Sequence, residues 1–257
     1  MLYTVGCSFT YGHELEDRTK TAWPYLLGNL LHMDVVNLAI SGVSNDYIMR
    51  TIITNVLSQT ITSNDLVIVG WTGEFRKEFY NTYSQKYITL KKQRTSYVDE
   101  SLMTFSSDKY LDDIHSVTTL FFDTFYNNSL IAINDKLQAI ILLDSFLMQH
   151  NISHMFFNAV GNVDWKNLDA KFLLKIQKEQ NKSIIESYTL RYSELQKCNN
   201  MILSPSMEQF CLKYPMGKYY HPLEEGHEMW AEYLYEQFIS RFPEINSSIY
   251  SSQTLSS

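Results

Sequence analysis

Three short, almost wholly apolar runs, at residues 2–6, 35–40 and 66–70, constrain this chain more than any other feature. A strand that is apolar on both sides needs cover on both sides, which is the condition of a parallel sheet with helices above and below. The intervening stretches supply those helices. Pro24 suits the first turn of a helix running from Trp23 to about Leu31. Ser44 and Asp46 can cap a second one that carries Ile48, Ile52 and Val56 on one face. Strand, helix, strand, helix, strand predicts an α/β fold with a parallel sheet.

The rest of the chain continues the pattern after one interruption. Residues 80–116 are polar and hold Tyr80, Tyr83, Tyr87, Tyr97 and Tyr110 without clear period, which reads as an insertion or lid. Apolar residues recur every three or four positions over 116–150 and predict a long helical region. A fourth strand is expected at 155–158, a charged helix at about 169–188 and a fifth strand at 201–204. A last helix after His221-Pro222 should pack Trp230, Leu234 and Phe238 on the sheet. No repeat or Pro/Gly/Ser-rich linker divides the chain, so residues 1–245 are expected to form one domain, followed by a Ser-rich flexible tail at 246–257.

Composition removes several function classes. At 45% hydrophobic residues the chain can bury a large core, which excludes intrinsic disorder. Its 21 Lys and Arg against 28 Asp and Glu give a formal charge of −7. Such a surface repels phosphate backbones, so no nucleic-acid partner is expected. The one basic cluster, Lys91, Lys92 and Arg94, reads as a solvated face. Cys7, Cys198 and Cys211 form neither a CxxC pair nor a zinc pattern, and HExxH is absent, so no metal is expected. An unpaired thiol suits a reducing compartment. With no leader-like segment and no run of ~18–20 apolar residues, neither export nor a membrane partner is expected, and the location expected is cytoplasmic.

Ligands of an open parallel sheet bind outside the carboxyl ends of its strands. Strand one ends in Gly6-Cys7-Ser8-Phe9-Thr10-Tyr11-Gly12, which puts the Ser8 hydroxyl at that edge. A serine becomes a nucleophile only with a base in reach. His221 is the candidate, because Pro222 keeps it in a loop ahead of the final helix. His227 falls inside the helical pattern and reads as a capping or packing residue. A dinucleotide-binding enzyme is excluded by the lack of GxGxxG in the first turn.

These stretches resemble the SGNH, or GDSL-like, hydrolases. Gly6-Cys7-Ser8-Phe9 is similar to the family's first block, in which the serine is the nucleophile. Asn37-Leu38-Ala39-Ile40-Ser41-Gly42-Val43-Ser44 resembles the second, where the glycine N–H serves the oxyanion hole. His221-Pro222 with Gly226-His227 and Trp230-Ala231 resembles the last, whose first histidine is the base. The resemblance spans residues 5 to about 235, and the stretch around Trp71-Thr72 and Arg76 is similar to bacteriophage-encoded variants. It implies a three-layer αβα sandwich with a short parallel sheet, of flavodoxin-like type, and no cofactor.

Two positions depart from the family pattern. Where the third block has Gly-x-Asn-Asp, this chain has Gly70-Trp71-Thr72-Gly73, leaving Thr72 as the replacement oxyanion donor beside the N–H groups of Ser8 and Gly42. Where the family has an Asp ahead of the base, this chain has Lys218 and Tyr219. A main-chain carbonyl, or a carboxylate such as Glu225 or Asp164, would then have to orient His221; otherwise turnover is lost. The resemblance implies a serine hydrolase of an ester or acyl bond in a carbohydrate or other small polar substrate; the aromatic insertion, with Trp71 and Arg76 near the strand-three edge, is expected to shape its pocket. Alternatives are an acyltransferase to a sugar or nucleoside hydroxyl, and a non-catalytic binding or virion-associated module. If phage-encoded, the chain would act in the host cytoplasm.

Overall fold

A computed structural model describes residues 1–82, 85–91, 108–125, 129–161 and 182–243. Its main sheet contains β1 (Leu2–Gly6), β2 (Val35–Asn37), β3 (Leu66–Trp71), β6 (Ser153–Asn158) and β7 (Met201–Ile202), in the order β2-β1-β3-β6-β7. Every neighbouring pair is parallel. Between β1 and β2 lie α1 (Ser8–Tyr11), α2 (Arg18–Thr21) and α3 (Trp23–Leu31); α4 (Asn45–Leu57) joins β2 to β3. The hairpin strands β4 (Arg76–Asn81) and β5 (Lys86–Lys91) and helices α5 (Asp108–Phe125) and α6 (Ser129–Gln149) precede β6. Then come α7 (Lys182–Leu195), α8 (Met207–Cys211) and α9 (Glu224–Arg241).

The near-continuous apolarity of the strands follows from this sandwich. Val67 and Val69 point to one side, into a core with Ile48, Ile52, Ile133, Leu137 and Ile140 from α4 and α6. Leu66 and Ile68 point to the other, against Leu27, Trp230, Leu234 and Phe238 from α3 and α9. Strand side chains alternate by two, so an apolar residue at every position means two cores. Full burial of each such side chain is worth roughly 1.5–3 kcal/mol. The Ser44 side chain accepts from Tyr47 N–H and caps α4, as its position in the sequence predicts.

The interruption after β3 opens with regular structure that its composition does not suggest. β4 and β5 form a separate antiparallel pair. Arg50 of α4 holds the pair with two bonds to Glu78, at 2.8 and 2.9 Å, while its guanidinium lies 4.0 Å from the Tyr87 ring centre. Phe79 on the other side packs edge-on against Phe121 of α5, with ring centres 5.3 Å apart. Helix α5 starts at Asp108, ahead of the expected 116. The second apolar run stays strand only to Asn37, and β7 has two residues. The helix expected at 169–188 falls partly outside the described residues, and α7 runs on to Leu195. Tyr83, Tyr97 and the tail at 246–257 also lie outside them.

Candidate functional site

Strand β1 lies between β2 and β3, so the turn after it emerges between the loops that follow those two strands. Ser8 opens α1 there, and Gly12 and His13 N–H groups both donate to its carbonyl. Close packing sets α1 on the strand ends. Gly6 pairs with Gly70, and Thr10 covers both: a β-carbon would lie 2.2 Å from Thr10 Oγ1 at Gly6 and 2.6 Å from it at Gly70. The Gly6 that closes the first run is therefore a seat for α1. The second loop is tied in by Asn37, whose Nδ2 donates to Thr10 O at 3.0 Å and whose Oδ1 accepts from Ala39 N–H at 3.1 Å.

Among the described residues the N–H groups of Ser8 and Gly42 have no hydrogen-bond acceptor. Gly42 has φ +83, a conformation that costs little only without a β-carbon. Thr72 lies at the end of β3 with its hydroxyl buried and unpartnered among the described residues. Its main chain is clasped from both sides by Asn45: Thr72 N–H donates to Oδ1 at 3.0 Å and Nδ2 donates to Thr72 O at 3.3 Å.

His221 packs beside the Ser8 loop, its ring centre 5.2 Å from that of Phe9 and 4.8 Å from that of His13. Its orienting group is Glu14. The His221 Nδ1–H donates to Glu14 Oε2 at 3.0 Å, and the N–H groups of Tyr219 and His221 donate to the same carboxylate at 3.0 and 3.2 Å. Glu225 and Asp164 are thereby replaced in this role; Glu225 is exposed in the first turn of α9, and Asp164 lies outside the described residues. Burial pulls the Glu14 pKa up, but these hydrogen bonds outweigh it and hold the carboxyl below its usual value. An ionised Glu14 fixes the Nδ1–H tautomer and leaves Nε2 as the acceptor that a base needs. Burial lowers the His221 pKa, with Glu14 partly offsetting it and His13 and Arg76 adding to it. The Ser8 hydroxyl makes no hydrogen bond to His221 within 3.5 Å.

The pocket expectations divide. Arg76 is half-buried and donates from Nη1 to Val43 O at 3.2 Å, beside the Gly42 loop. Trp71 is fully buried and packs edge-on against Phe156 in the core, so it does not shape an open pocket. Strand alternation explains this: Trp71 shares the inward side of β3 with Val67 and Val69. Lys91, read as part of a solvated basic face, instead lies over the Gly42 loop, 2.7 Å from where a Gly42 β-carbon would be. Lys92 and Arg94 lie outside the described residues.

His227 keeps the packing role expected of it. Its Nδ1 accepts from Trp23 N–H at 3.1 Å, joining α9 to α3, and burial pushes its pKa down to about 3. All three cysteines are free, and no group of three or more metal-ligating side chains occurs among the described residues. No helix among them is long and apolar enough to cross a membrane.

Glu14 and Asn45 are the residues beside His221 and Thr72 that sequence reasoning missed. Glu14 left one signal, since His13-Glu14 puts two titratable groups on the same loop as the serine. Asn45 left none beyond a helix-starting position.

The fold is similar to that of several solved esterases. A protein assigned to the G-D-S-L lipolytic family of Desulfitobacterium hafniense is 14% identical with TM-score 0.47, covering 92% of this chain and 98% of its own. A psychrotrophic esterase of Pseudoalteromonas is 10% identical with TM-score 0.46, covering 93% and 96%. An acetyl xylan esterase of the rumen bacterium Butyrivibrio proteoclasticus is 12% identical with TM-score 0.48, covering 94% and 64%. No curated protein matches the chain in sequence. A family model described as a family of unknown function, DUF6071, does match residues 11–249, and the chain belongs to that family.

Proposed function

We propose that the chain is a serine ester hydrolase of SGNH type, with Ser8 as nucleophile, His221 as base and Glu14 as the acid that orients it. The observation that carries this reading is the 3.0 Å bond from His221 Nδ1 to Glu14, which supplies the acid missing from the family position. In the reaction, Ser8 Oγ attacks the acyl carbon while His221 Nε2 takes its proton. The tetrahedral oxyanion is met by the N–H groups of Ser8 and Gly42 and by the Thr72 hydroxyl, which are free to receive it. His221 then protonates the leaving alkoxide, and water, activated by the same imidazole, releases the acyl group. The substrate class is a small polar ester, a carbohydrate ester included.

A fluorophosphonate probe tests the assignment. Labelling of the wild type that disappears in Ser8→Ala, together with hydrolysis of 4-nitrophenyl acetate, is the expected result. A folded wild type that neither labels nor hydrolyses the ester would leave a binding module.

A further inference from the structure

Resting on that reading of Ser8 and His221, we propose that Arg76, Lys91 and Lys136 form a subsite for an anionic substituent of the substrate, so that the preferred ester carries a carboxylate or phosphate near the scissile bond. The hairpin supplies the first two cations. Arg76 and Lys91 are directly opposed in the β4–β5 register and therefore share one face. Like charges in such a pair oppose pairing. Both nevertheless converge on the second loop, Arg76 through its bond to Val43 O and Lys91 over Gly42. Gly42 is the glycine whose N–H faces the oxyanion in the proposed reaction.

The third cation comes from α6. Lys136 of α6 is 3% exposed and forms no hydrogen bond or ion pair among the described residues. It lines a small polar cavity with Arg76, Glu74 and Asn45, the residue that clasps Thr72. A buried ammonium without a partner is costly, and a pairing anion removes that cost. Burial pushes Lys136 down to about 8, with Glu74 the carboxylate opposing the shift and Arg76 adding to it. At pH 7 it still carries its charge. Among the described residues, Glu74 lines that cavity together with Arg76 and Lys136, while Asp46 and Asp135, also on its lining, are paired with Lys77.

The test compares two esters of similar length, mono-4-nitrophenyl glutarate and 4-nitrophenyl pentanoate, as a ratio of kcat/KM, each rate corrected for the uncatalysed hydrolysis, which the glutarate's own carboxylate accelerates. The wild type should prefer the glutarate tenfold or more, and 0.5 M NaCl should reduce that preference. Arg76→Gln, Lys91→Gln and Lys136→Met should each cut the ratio at least threefold. A wild-type ratio of one or less, or a ratio unchanged in all three variants, overturns the subsite. Melting shifts with millimolar glutarate and with inorganic phosphate give a readout independent of turnover and separate the two anions. Stabilisation that is lost in Lys91→Gln supports the subsite even if no ester is cleaved and the hydrolase reading fails. Hydrolysis of the pentanoate with neither preference nor stabilisation sinks the subsite and leaves the hydrolase intact. If Lys136→Met does not fold, Lys91→Gln on the two-stranded hairpin decides.

Discussion

Glu14 and His221 meet at 3.0 Å across 207 positions of sequence, and the carboxylate also receives the N–H groups of Tyr219 and His221. A β-carbon on Gly217 would lie 2.5 Å from the Glu14 carboxyl carbon, so the turn that carries the histidine is moulded around this one group. The proposed acid thus comes from the same loop as the proposed nucleophile, Ser8.

Removing that charge should cost activity and move the pH profile. Glu14→Gln is expected to lower kcat by about 10²–10⁴ on 4-nitrophenyl acetate, through the wrong tautomer and a less stable imidazolium. The wild type should lose activity as pH falls through a His221 pKa that burial sets below 6.5. Because Glu14 raises that pKa, its removal should shift the acid limb to lower pH. An unchanged limb, with kcat within threefold of wild type, would remove Glu14 from the mechanism.

Asn45→Ala should act on the main chain of Thr72. It leaves the buried Thr72 N–H without its acceptor, which costs roughly 1–3 kcal/mol of stability in urea unfolding. If the clasp also positions the Thr72 hydroxyl, kcat should fall while KM changes little, and Thr72→Val should reproduce the kcat loss, about tenfold or more, without the stability loss.

His227 makes stability depend on pH. Its folded pKa of about 3 lies below the unfolded 6.5, so the unfolded chain binds a proton that the native state refuses. Stability from this group is complete above pH 6.5 and declines by up to ~1.4 kcal/mol per pH unit as pH falls toward 3. Urea titrations at pH 5 and 7 should show a smaller difference in His227→Gln than in the wild type, by about 2 kcal/mol.

Gly70→Ala should push Thr10 off the strand ends, since the added carbon falls 2.6 Å from Thr10 Oγ1 and 3.0 Å from the Phe157 ring. Overpacking of this kind costs typically 1–3 kcal/mol. Displacement of α1 should also slow fluorophosphonate labelling of Ser8 more than tenfold, whereas Gly73→Ala, which meets nothing within 4 Å, should be close to neutral in both measurements.

The sheet and its covering helices were legible because burial on two faces writes itself as continuous apolar runs at Leu2–Gly6 and Leu66–Trp71, and because Trp230, Leu234 and Phe238 keep helical spacing. The placement of Ser8, Gly42 and His221 near one edge of the sheet was legible through short motifs fixed to strand ends. Glu14 was not, since its partner is brought near only by the finished fold, and its own positive φ of +72 belongs to an irregular loop. The hairpin was hidden for another reason: its strands are held by Arg50 and Tyr87 and by Phe121, contacts that leave no simple alternation of apolar and polar residues. Trp71 misled because an aromatic residue at a strand end reads equally as pocket wall or core.

The β4–β5 pair shares no ladder with the main sheet, while two of the three cations proposed to recognise the substrate ride on it. On the proposed reading, recognition and bond cleavage sit on separable pieces of the chain. A transplanted ribbon, seated through the same Arg50 and Phe121 anchors, would redirect which esters are accepted while the nucleophile, its base and their carboxylate stayed in place.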